Sequence, residues 1–284
     1  MKGVILVAGN AKRLRPITDC YGKALVPIYN KPMIFYGLSL MIKMGITEIA
    51  IVCNERDVKV YNELLVNKYK NFKIELFVQK EALGTAHAIN YAYDFIGSSD
   101  FALLFGDNIF VMDNIKEYLI DAKDKNEEIT LFAKAVSDPE RFGVIECDED
   151  NKILSIEEKP KNPKTNLAST GLYICSNKVK EMLKNVKVSE RGEYEFTDVI
   201  SECVKKGKAK VCVLPDSCAW LDTGTFDSLL DCSILVKEFE KNHGLYGCIE
   251  LDLLKENIIS KDEFKELIQH YSDDYRNRIL RSLQ

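Results

Sequence analysis

The chain has 284 residues, of which 46% are hydrophobic and 29% charged, and its formal net charge is -5. This composition is typical of a globular protein large enough for one big domain with an appendage, and its mild acidity excludes a general nucleic-acid binder. The first apolar run is too short for a signal peptide, and no stretch reaches the roughly 18 apolar residues that a membrane span needs. We therefore predict a soluble, cytoplasmic protein without a membrane or nucleic-acid partner.

Apolar, β-rich runs alternate with helical patterns through the first half of the chain. Each predicted strand is a nearly continuous apolar run, as expected when both faces of a parallel sheet are buried. This alternation predicts an α/β fold with a mainly parallel central sheet flanked by helices. The predicted strands cover 4–7, 49–53, 74–78 and 101–105, and the predicted helices cover 33–44, 58–66 and 85–95.

The second half is less regular and ends in a long, charged helical pattern over 250–283. We predict a main domain over residues 1–240 and a C-terminal helical appendage over 241–284 that packs on it. Predicted strands cover 129–135, 144–147, 153–156, 171–175 and 211–214, and predicted helices cover 179–183, 196–205 and 225–241.

The nine cysteines include no C-x-x-C pair, and the three histidines are far apart in sequence. An odd number of scattered cysteines within apolar patterns is typical of free thiols in a reducing compartment. We therefore predict neither a disulfide framework nor a zinc site.

The first predicted strand leads into a short basic loop. The run Val4–Val7 breaks at Gly9, and Lys12 and Arg13 follow. Such a loop can bind phosphate through backbone N–H groups and fixed cations, although phosphate loops usually carry two or three glycines. From these residues alone, the loop is a phosphate site, a modified one, or an ordinary connection.

Two aspartates lie next to other predicted elements. Asp107 comes just after the strand over 101–105, where ligands of open α/β sheets gather, and Asp222 lies in a W-L-D-T-G-T sequence that contains Trp220. Each also has an ordinary interpretation, since aspartates begin turns and cap helices and a tryptophan often packs in a core. Local chemistry leaves these alternatives open.

The order of the motifs resembles that of the sugar-1-phosphate nucleotidylyltransferases, most closely the short bacterial glucose-1-phosphate thymidylyltransferases. The family opening L-A-G-G-x-G-T-R-L-x-P-x-T corresponds to LVAGNAKRLRPIT, and S-K-x-L-x-P-x-x-x-K-P-M-I corresponds to GKALVPIYNKPMI. The resemblance continues through GDNIF, DPERFGV, EEKPKNPK, STGLY, SERGEYEFTD and AWLDTGTFDSL, and it covers nearly the whole chain.

The resemblance implies a Rossmann-like nucleotidyltransferase fold and a defined reaction. A sugar-1-phosphate oxygen attacks the α-phosphorus of a nucleoside triphosphate, and pyrophosphate leaves. With dTTP and glucose 1-phosphate as the favoured substrates, the product is dTDP-glucose. The resemblance also implies Mg²⁺ as cofactor and a homo-oligomer, either a dimer or a tetramer.

The resemblance also assigns roles to individual residues. It implies that Arg13, Lys23 and Lys159 are catalytic and that Asp107 and Asp222 bind the metal. The implied nucleotide-binding residues are Ala8, Gly9, Lys12, Gln79, Gly84 and Asp107, and the implied sugar-phosphate-binding residues are Gly143, Glu158, Lys159, Ser169 and Trp220.

Several positions depart from the family pattern. Two family glycines of the opening loop are Ala8 and Ala11, the family threonine is Lys12, and a base-reading glutamine is Ala24. The methyl group of Ala11 narrows the loop and penalises a positive φ angle. These changes leave two alternatives: a uridylyltransferase or another nucleotide-sugar specificity, and a nucleotide-binding protein with impaired turnover. The absence of G-x-G-x-x-G from the loop argues against a conventional dehydrogenase.

Overall fold

The computed structural model describes residues 1–70, 72–149 and 151–283. Residue 284, the last of the predicted appendage, lies outside the described residues. The strands are β1 (Lys2–Leu6), β2 (Pro27–Ile28), β3 (Lys31–Pro32), β4 (Glu48–Cys53), β5 (Lys73–Val78), β6 (Phe101–Phe105), β7 (Asn108–Val111), β8 (Ile129–Ala135), β9 (Gly143–Cys147), β10 (Ile153–Glu158), β11 (Leu167–Cys175), β12 (Ala209–Val213) and β13 (Ala219–Asp222).

The helices separate and cover these strands. The third helix along the chain continues into a π-helical turn over Asn62–Val66. They are α1 (Ile17–Cys20), α2 (Ile34–Lys43), α3 (Val58–Tyr61), α4 (Thr85–Asn90), α5 (Tyr93–Ile96), α6 (Ile115–Asp124), α7 (Asn177–Met182), α8 (Phe196–Lys205), α9 (Phe226–His243), α10 (Ile249–Lys255), α11 (Lys261–Ile268) and α12 (Asp273–Arg281).

The central sheet runs in the order β10-β9-β11-β6-β1-β4-β5, with β8 also paired to β11 and β12 to β8. The strands β6, β1, β4 and β5 are mutually parallel, as their continuous apolar runs predict. Strand β11 joins this parallel set antiparallel to β6. The predicted α/β architecture with flanking helices is confirmed.

Each face of the sheet has its own apolar core, because successive side chains of a strand point to opposite faces. In β1, the fully buried Ile5 packs in the core shared with α2, α6 and the C-terminal helices. Its neighbour Val4, also fully buried, packs in the core shared with α4, α5, α7 and α8. The C-terminal helices are therefore attached through the main core rather than through an exposed linker.

Two predicted helices are divided in the structure. The pattern over 85–95 forms α4 and α5 as separate helices, and the pattern over 250–283 forms α10, α11 and α12. The last two begin at Ser260 and Ser272, whose side chains accept hydrogen bonds from backbone N–H groups of the first turn. Serine caps interrupt a helical periodicity that is otherwise continuous.

The prediction of free thiols agrees with the structure, in which the nine cysteines are unbridged and six of them are buried. No helix within the described ranges combines the length and apolar character that a membrane span requires.

Candidate functional site

A two-stranded ribbon at the carboxyl edge of the parallel strands brings two carboxylates together. Strand β7 pairs antiparallel with β13, so that Asn108 lies opposite Asp222. Asp107 is the residue directly before β7, and its carbonyl oxygen accepts a hydrogen bond from the Thr223 hydroxyl at 2.9 Å. The Trp220 indole N–H donates to Asn108 Oδ1 at 2.9 Å, which further ties the two strands.

Lys23 lies between these two carboxylates. Its Nζ is 2.9 Å from Asp107 Oδ2 and 3.5 Å from Asp222 Oδ1. The other oxygen of Asp222 is 3.0 Å from Nη2 of Arg141, a residue that the sequence analysis did not assign. A hydrogen bond to Asp138 raises the pKa of Arg141, and the Asp222 charge adds to this effect. The site therefore joins two acids to two permanent cations.

The two carboxylates fit a magnesium ion in the chemistry of their donors. Both turn an oxygen toward the same ammonium group, and their side chains keep 41% (Asp107) and 16% (Asp222) of their surface exposed. Mg²⁺ binds proteins through one or two carboxylates and takes its other ligands from water and phosphate. In the described ranges, no cluster of three or more acidic, histidine or cysteine side chains forms a closed cage. Asp107 and Asp222 could thus hold an ion that also contacts substrate.

The opening loop keeps a left-handed turn without the family glycine. Ala11 has φ 42° and ψ 43°, a conformation that costs an alanine roughly 1–2 kcal/mol. Its carbonyl oxygen accepts hydrogen bonds from the Leu14 N–H at 3.0 Å and the Thr18 hydroxyl at 2.9 Å. A Cβ at Gly9 would meet no heavy atom within 4 Å, so space is open beside the loop. The loop therefore forms a tight, hydrogen-bonded left-handed turn despite its altered sequence.

Arg13 reaches from this loop to the acidic pair. Its Nη2 lies 2.9 Å from the position that a Cβ would occupy on Gly224. The same Cβ would lie 3.1 Å from Asp222 Oδ2. The Arg13 guanidinium therefore lies beside Gly224, the second residue after Asp222, and a side chain at position 224 would displace it.

A cavity of about 430 Å³ begins beside the carboxylates, within the size range of small-molecule sites. Eight of the predicted site residues line it, together with Arg141 and other residues of the second half of the chain. These eight are Arg13, Asp107, Gly143, Glu158, Lys159, Ser169, Trp220 and Asp222.

Glu158, which also lines the cavity, is the centre of a second group of polar contacts. Its Oε2 accepts a hydrogen bond from the Thr197 hydroxyl at 2.6 Å, and its Oε1 is 3.4 Å from Arg191 Nη1 and 3.7 Å from Lys159 Nζ. Arg191 is also 3.1 Å from Glu195. Carboxylates and cations in this arrangement can bind both hydroxyl groups and a phosphate.

Lys159 has an unusual backbone for its residue type. Its φ angle is 46°, and its N–H donates to the Phe142 carbonyl oxygen at 2.9 Å. A non-glycine residue in this region is strained, and strain of this kind concentrates at functional positions. The side chain is 44% exposed and lines the cavity.

The remaining predicted residues lie outside the cavity lining. Ala8 is buried, Gly9 and Lys12 are exposed in the opening loop, and Gln79 donates to the Glu81 carbonyl oxygen at 2.9 Å. Gly84 has φ 112°, and a Cβ there would lie 2.6 Å from the backbone of Tyr194. Gly84 is thus required for packing, whatever its contact with a nucleotide.

Sequence reasoning did not assign Arg141, Arg191, Glu195 or Thr197, all of which reach the site. They lie in two motifs of the family resemblance, DPERFGV and SERGEYEFTD, so the motifs were the available signal. From the sequence alone, these residues could not be distinguished from ordinary polar residues of the surface.

The known proteins to which this chain is similar agree in family and in name. The family model described as "Nucleotidyl transferase" matches residues 2–239. A glucose-1-phosphate thymidylyltransferase of Neisseria gonorrhoeae is 37% identical over 95% of this chain and 94% of its own length. A protein of the same name from Mycolicibacterium smegmatis is 37% identical over 99% of each chain.

Solved structures agree with these relatives. A Bacillus anthracis protein named for glucose-1-phosphate thymidylyltransferase, solved with sucrose, superposes with a TM-score of 0.75 at 35% identity, over 83% of this chain and 94% of its own. A UDP-glucose pyrophosphorylase solved with UDP-glucose has a TM-score of 0.75 at 23% identity, over 84% and 98% of the two chains. At that identity, the second likeness supports the fold alone.

Proposed function

The chain belongs to the nucleotidyl transferase family, and from this premise we propose that it transfers a nucleotidyl group from dTTP to glucose 1-phosphate, releasing dTDP-glucose and pyrophosphate. The observation that carries the proposal is that Asp107 and Asp222, which both line the cavity, converge on Lys23. The relatives named for this activity, which align over nearly all of the chain, support the choice of substrates.

The proposed reaction needs alignment and charge neutralisation more than a protein base. The second pKa of a phosphate monoester is about 6, so the attacking oxygen is mostly ionised at neutral pH. Arg13 and Lys23 would neutralise the triphosphate, and Lys159 would bind the sugar phosphate at the other end of the cavity. Glu158 would orient the sugar by accepting hydrogen bonds from its hydroxyl groups. Fixed cations around a developing charge are the main source of rate in such sites.

Asp107 and Asp222 are the residues that would hold Mg²⁺. When bound, the ion would neutralise phosphate oxygens. Lys23 contacts both carboxylates and Arg141 contacts Asp222, so these two cations hold the carboxylates in place beside each other.

A uridylyltransferase is a second candidate, because Ala24 cannot hydrogen-bond a base. Ala24 is 2% exposed and packs in the main core. Gln79 and Gly84 are the residues proposed to face the nucleotide instead. The structure of the loop at Ala11 argues against impaired turnover, since the alanine adopts the left-handed turn that glycine would favour.

Pyrophosphate release tests the proposal. The purified chain is incubated with Mg²⁺, glucose 1-phosphate and each of dTTP, UTP, ATP and GTP, and other sugar 1-phosphates are tried in parallel. We expect the highest kcat/KM with dTTP and glucose 1-phosphate. A preference for UTP would favour the second candidate, and no release with any pair would leave a binding protein.

We also propose that the chain forms a homo-oligomer through α9. Phe226, Leu230 and Ile234 lie one turn apart on this helix and are 48%, 61% and 50% exposed. A second copy fits this face when the two helices run antiparallel and cross at Leu230, because Phe226 of each copy then lies opposite Ile234 of the other.

Sedimentation velocity tests this interface. We expect a dimer or tetramer for the wild-type chain and dissociation by Leu230→Lys. Leu154→Lys, at a similarly exposed leucine of β10, is the matched control and should leave the assembly intact. A monomeric wild-type chain, or a Leu230→Lys variant with an unchanged oligomeric state, contradicts the proposal.

We further propose a cytoplasmic location, which the free cysteines support.

A further inference from the structure

The turn after β4 contacts the segment that carries Lys23. This turn, Glu55–Asp57, contains an aspartate that is only 1% exposed. Asp57 Oδ1 accepts a hydrogen bond from the Gly22 N–H at 3.0 Å. Gly22 directly precedes Lys23, the residue that bridges the two site carboxylates. Asp57 is thus one residue away from a cation of the site.

The neighbouring residue, Arg56, contacts helix α1, which lies between the opening loop and Gly22 in the chain. Arg56 Nη2 donates to the Thr18 carbonyl oxygen at 2.9 Å, and Nη1 donates to that of Asp19 at 3.3 Å. The hydroxyl of Thr18 in turn donates to the carbonyl oxygen of Ala11. One short turn therefore anchors both the opening loop and the Lys23 segment.

The fit between Gly22 and Asp57 leaves no room for a larger residue. A Cβ on Gly22 would lie 2.4 Å from Asp57 Oδ2. Among the described residues, this oxygen has no hydrogen-bond partner. A buried carboxylate oxygen without a hydrogen-bond partner lowers the free energy of unfolding. The presence of Asp57 is therefore better explained by its hydrogen bond to Gly22 than by a contribution to the stability of the turn.

We propose that Asp57, assisted by Arg56, is a positioning residue that fixes Lys23 and the opening loop for the nucleoside triphosphate. The carboxylate touches no substrate, and it acts by restraining the backbone at Gly22. This inference rests on the proposed function, because it assumes that Lys23 and the opening loop bind the triphosphate. It predicts a defect on the nucleotide side of the reaction and none on the sugar side.

The test compares Asp57→Ala, Asp57→Asn and a matched control. Asparagine keeps an oxygen that can accept the Gly22 N–H, whereas alanine removes it. The control is Asp252→Ala, since Asp252 is also a buried aspartate, 8% exposed, and hydrogen-bonds Ser39 and Lys43 away from the cavity. The readouts are kcat, both KM values, and calorimetric affinity for the triphosphate that the wild-type chain binds best among dTTP, UTP, ATP and GTP.

For Asp57→Ala, we expect nucleotide affinity and kcat/KM for nucleotide to fall at least tenfold, with the KM for sugar phosphate within twofold of wild type. Asp57→Asn should retain nucleotide affinity within about threefold, and Asp252→Ala should lose stability without a change in either KM. If Asp57→Ala does not fold, Arg56→Ala replaces it, and we expect a threefold or greater loss of nucleotide affinity from this exposed position.

The proposal is overturned if the folded Asp57→Ala, or Arg56→Ala in its place, binds nucleotide like the wild-type chain. It is also overturned if Asp57→Asn is as defective as Asp57→Ala, or if the loss falls equally on both substrates. A wild-type chain that binds nucleotide without turnover contradicts the proposed function alone, because the affinities still test the positioning role. A chain that binds none of the four nucleotides contradicts both.

Discussion

Replacement of Lys159 separates a functional charge from a stability effect at one position. Its φ angle of 46° costs a side-chain-bearing residue roughly 1–2 kcal/mol, a cost that glycine does not carry. Its ammonium lines the cavity beside Glu158. Lys159→Met keeps the strain and most of the bulk, and Lys159→Gly removes both. Each variant removes the charge.

The expected loss of activity follows from the proposed phosphate contact. Charge-assisted hydrogen bonds contribute about 1.5–3 kcal/mol, and the lower value applies here because the side chain is 44% exposed. The kcat/KM for glucose 1-phosphate should therefore fall about tenfold in both variants.

Stability should change differently in the two variants. Glycine relieves the strain but loses roughly 0.4–1 kcal/mol to the entropy of the unfolded chain. The net gain lies between about 0 and about 1.6 kcal/mol, so the Tm of Lys159→Gly should equal that of the wild-type chain or exceed it by up to roughly 3 °C. Lys159→Met should melt near the wild-type temperature.

The assays are pyrophosphate release with varied glucose 1-phosphate, calorimetry with nucleotide alone, and thermal melting. Lys161→Met, an exposed lysine two residues away and outside the cavity lining, is the control for loss of charge. If nucleotide affinity collapses while sugar-phosphate kinetics are unchanged, Lys159 belongs to a different subsite. A lower Tm for Lys159→Gly would show that the positive φ carries no strain.

Three further predictions concern the metal pair, the opening loop and acid stability. Asp107→Asn and Asp222→Asn should each abolish most turnover, because each removes a charge without changing volume, and near wild-type activity with unaltered circular dichroism would contradict the metal role. Ala11→Gly should lower the KM for nucleotide, because the methyl group narrows the space for the triphosphate, and it should leave the Tm no lower than wild type, because the left-handed turn becomes unstrained; a raised KM would show that the methyl group is well accommodated. Burial opposes the charge of Glu250, but the ion pair with Lys68 and the hydrogen bonds from Tyr271 and Tyr69 together outweigh it and hold the pKa below its ordinary value of 4.5. The ionised carboxylate therefore stabilises the fold above about pH 4.5 and loses this effect as the pH falls further. Between pH 7 and pH 4, the free energy of unfolding measured with urea should decrease less for Glu250→Gln than for the wild-type chain.

The parallel strands were predictable because burial on both faces makes each of them a continuous apolar run. The ribbon of β7 and β13 was not predictable, since each strand has only four residues and the pairing joins distant parts of the chain. Helix α6 was also missed, since its apolar positions Ile115, Leu119 and Ala122 are few among charged residues.

The candidate site likewise contains some residues that could be predicted from the sequence and others that could not. Asp107 and Lys23 could be assigned from motifs, because they follow or precede recognisable elements. Arg141 and Arg191 could not, since an arginine in a loop acquires a role only when folding sets a carboxylate beside it. The left-handed turn at Ala11 was also hidden, because alanine gives no signal for a positive φ angle.

The ribbon also determines when the protein can acquire activity during its synthesis. Trp220 and Asn108, which hydrogen-bond across the two strands, are separated by 112 positions. Domains begin to fold from the N-terminus as they leave the ribosome, and contacts between distant positions form late. The strands β1, β4, β5 and β6 emerge together with the opening loop, but Asp222 joins Asp107 only after most of the chain has been translated. A nascent or truncated chain can thus hold the opening loop and still lack the pair of carboxylates that the proposed reaction needs.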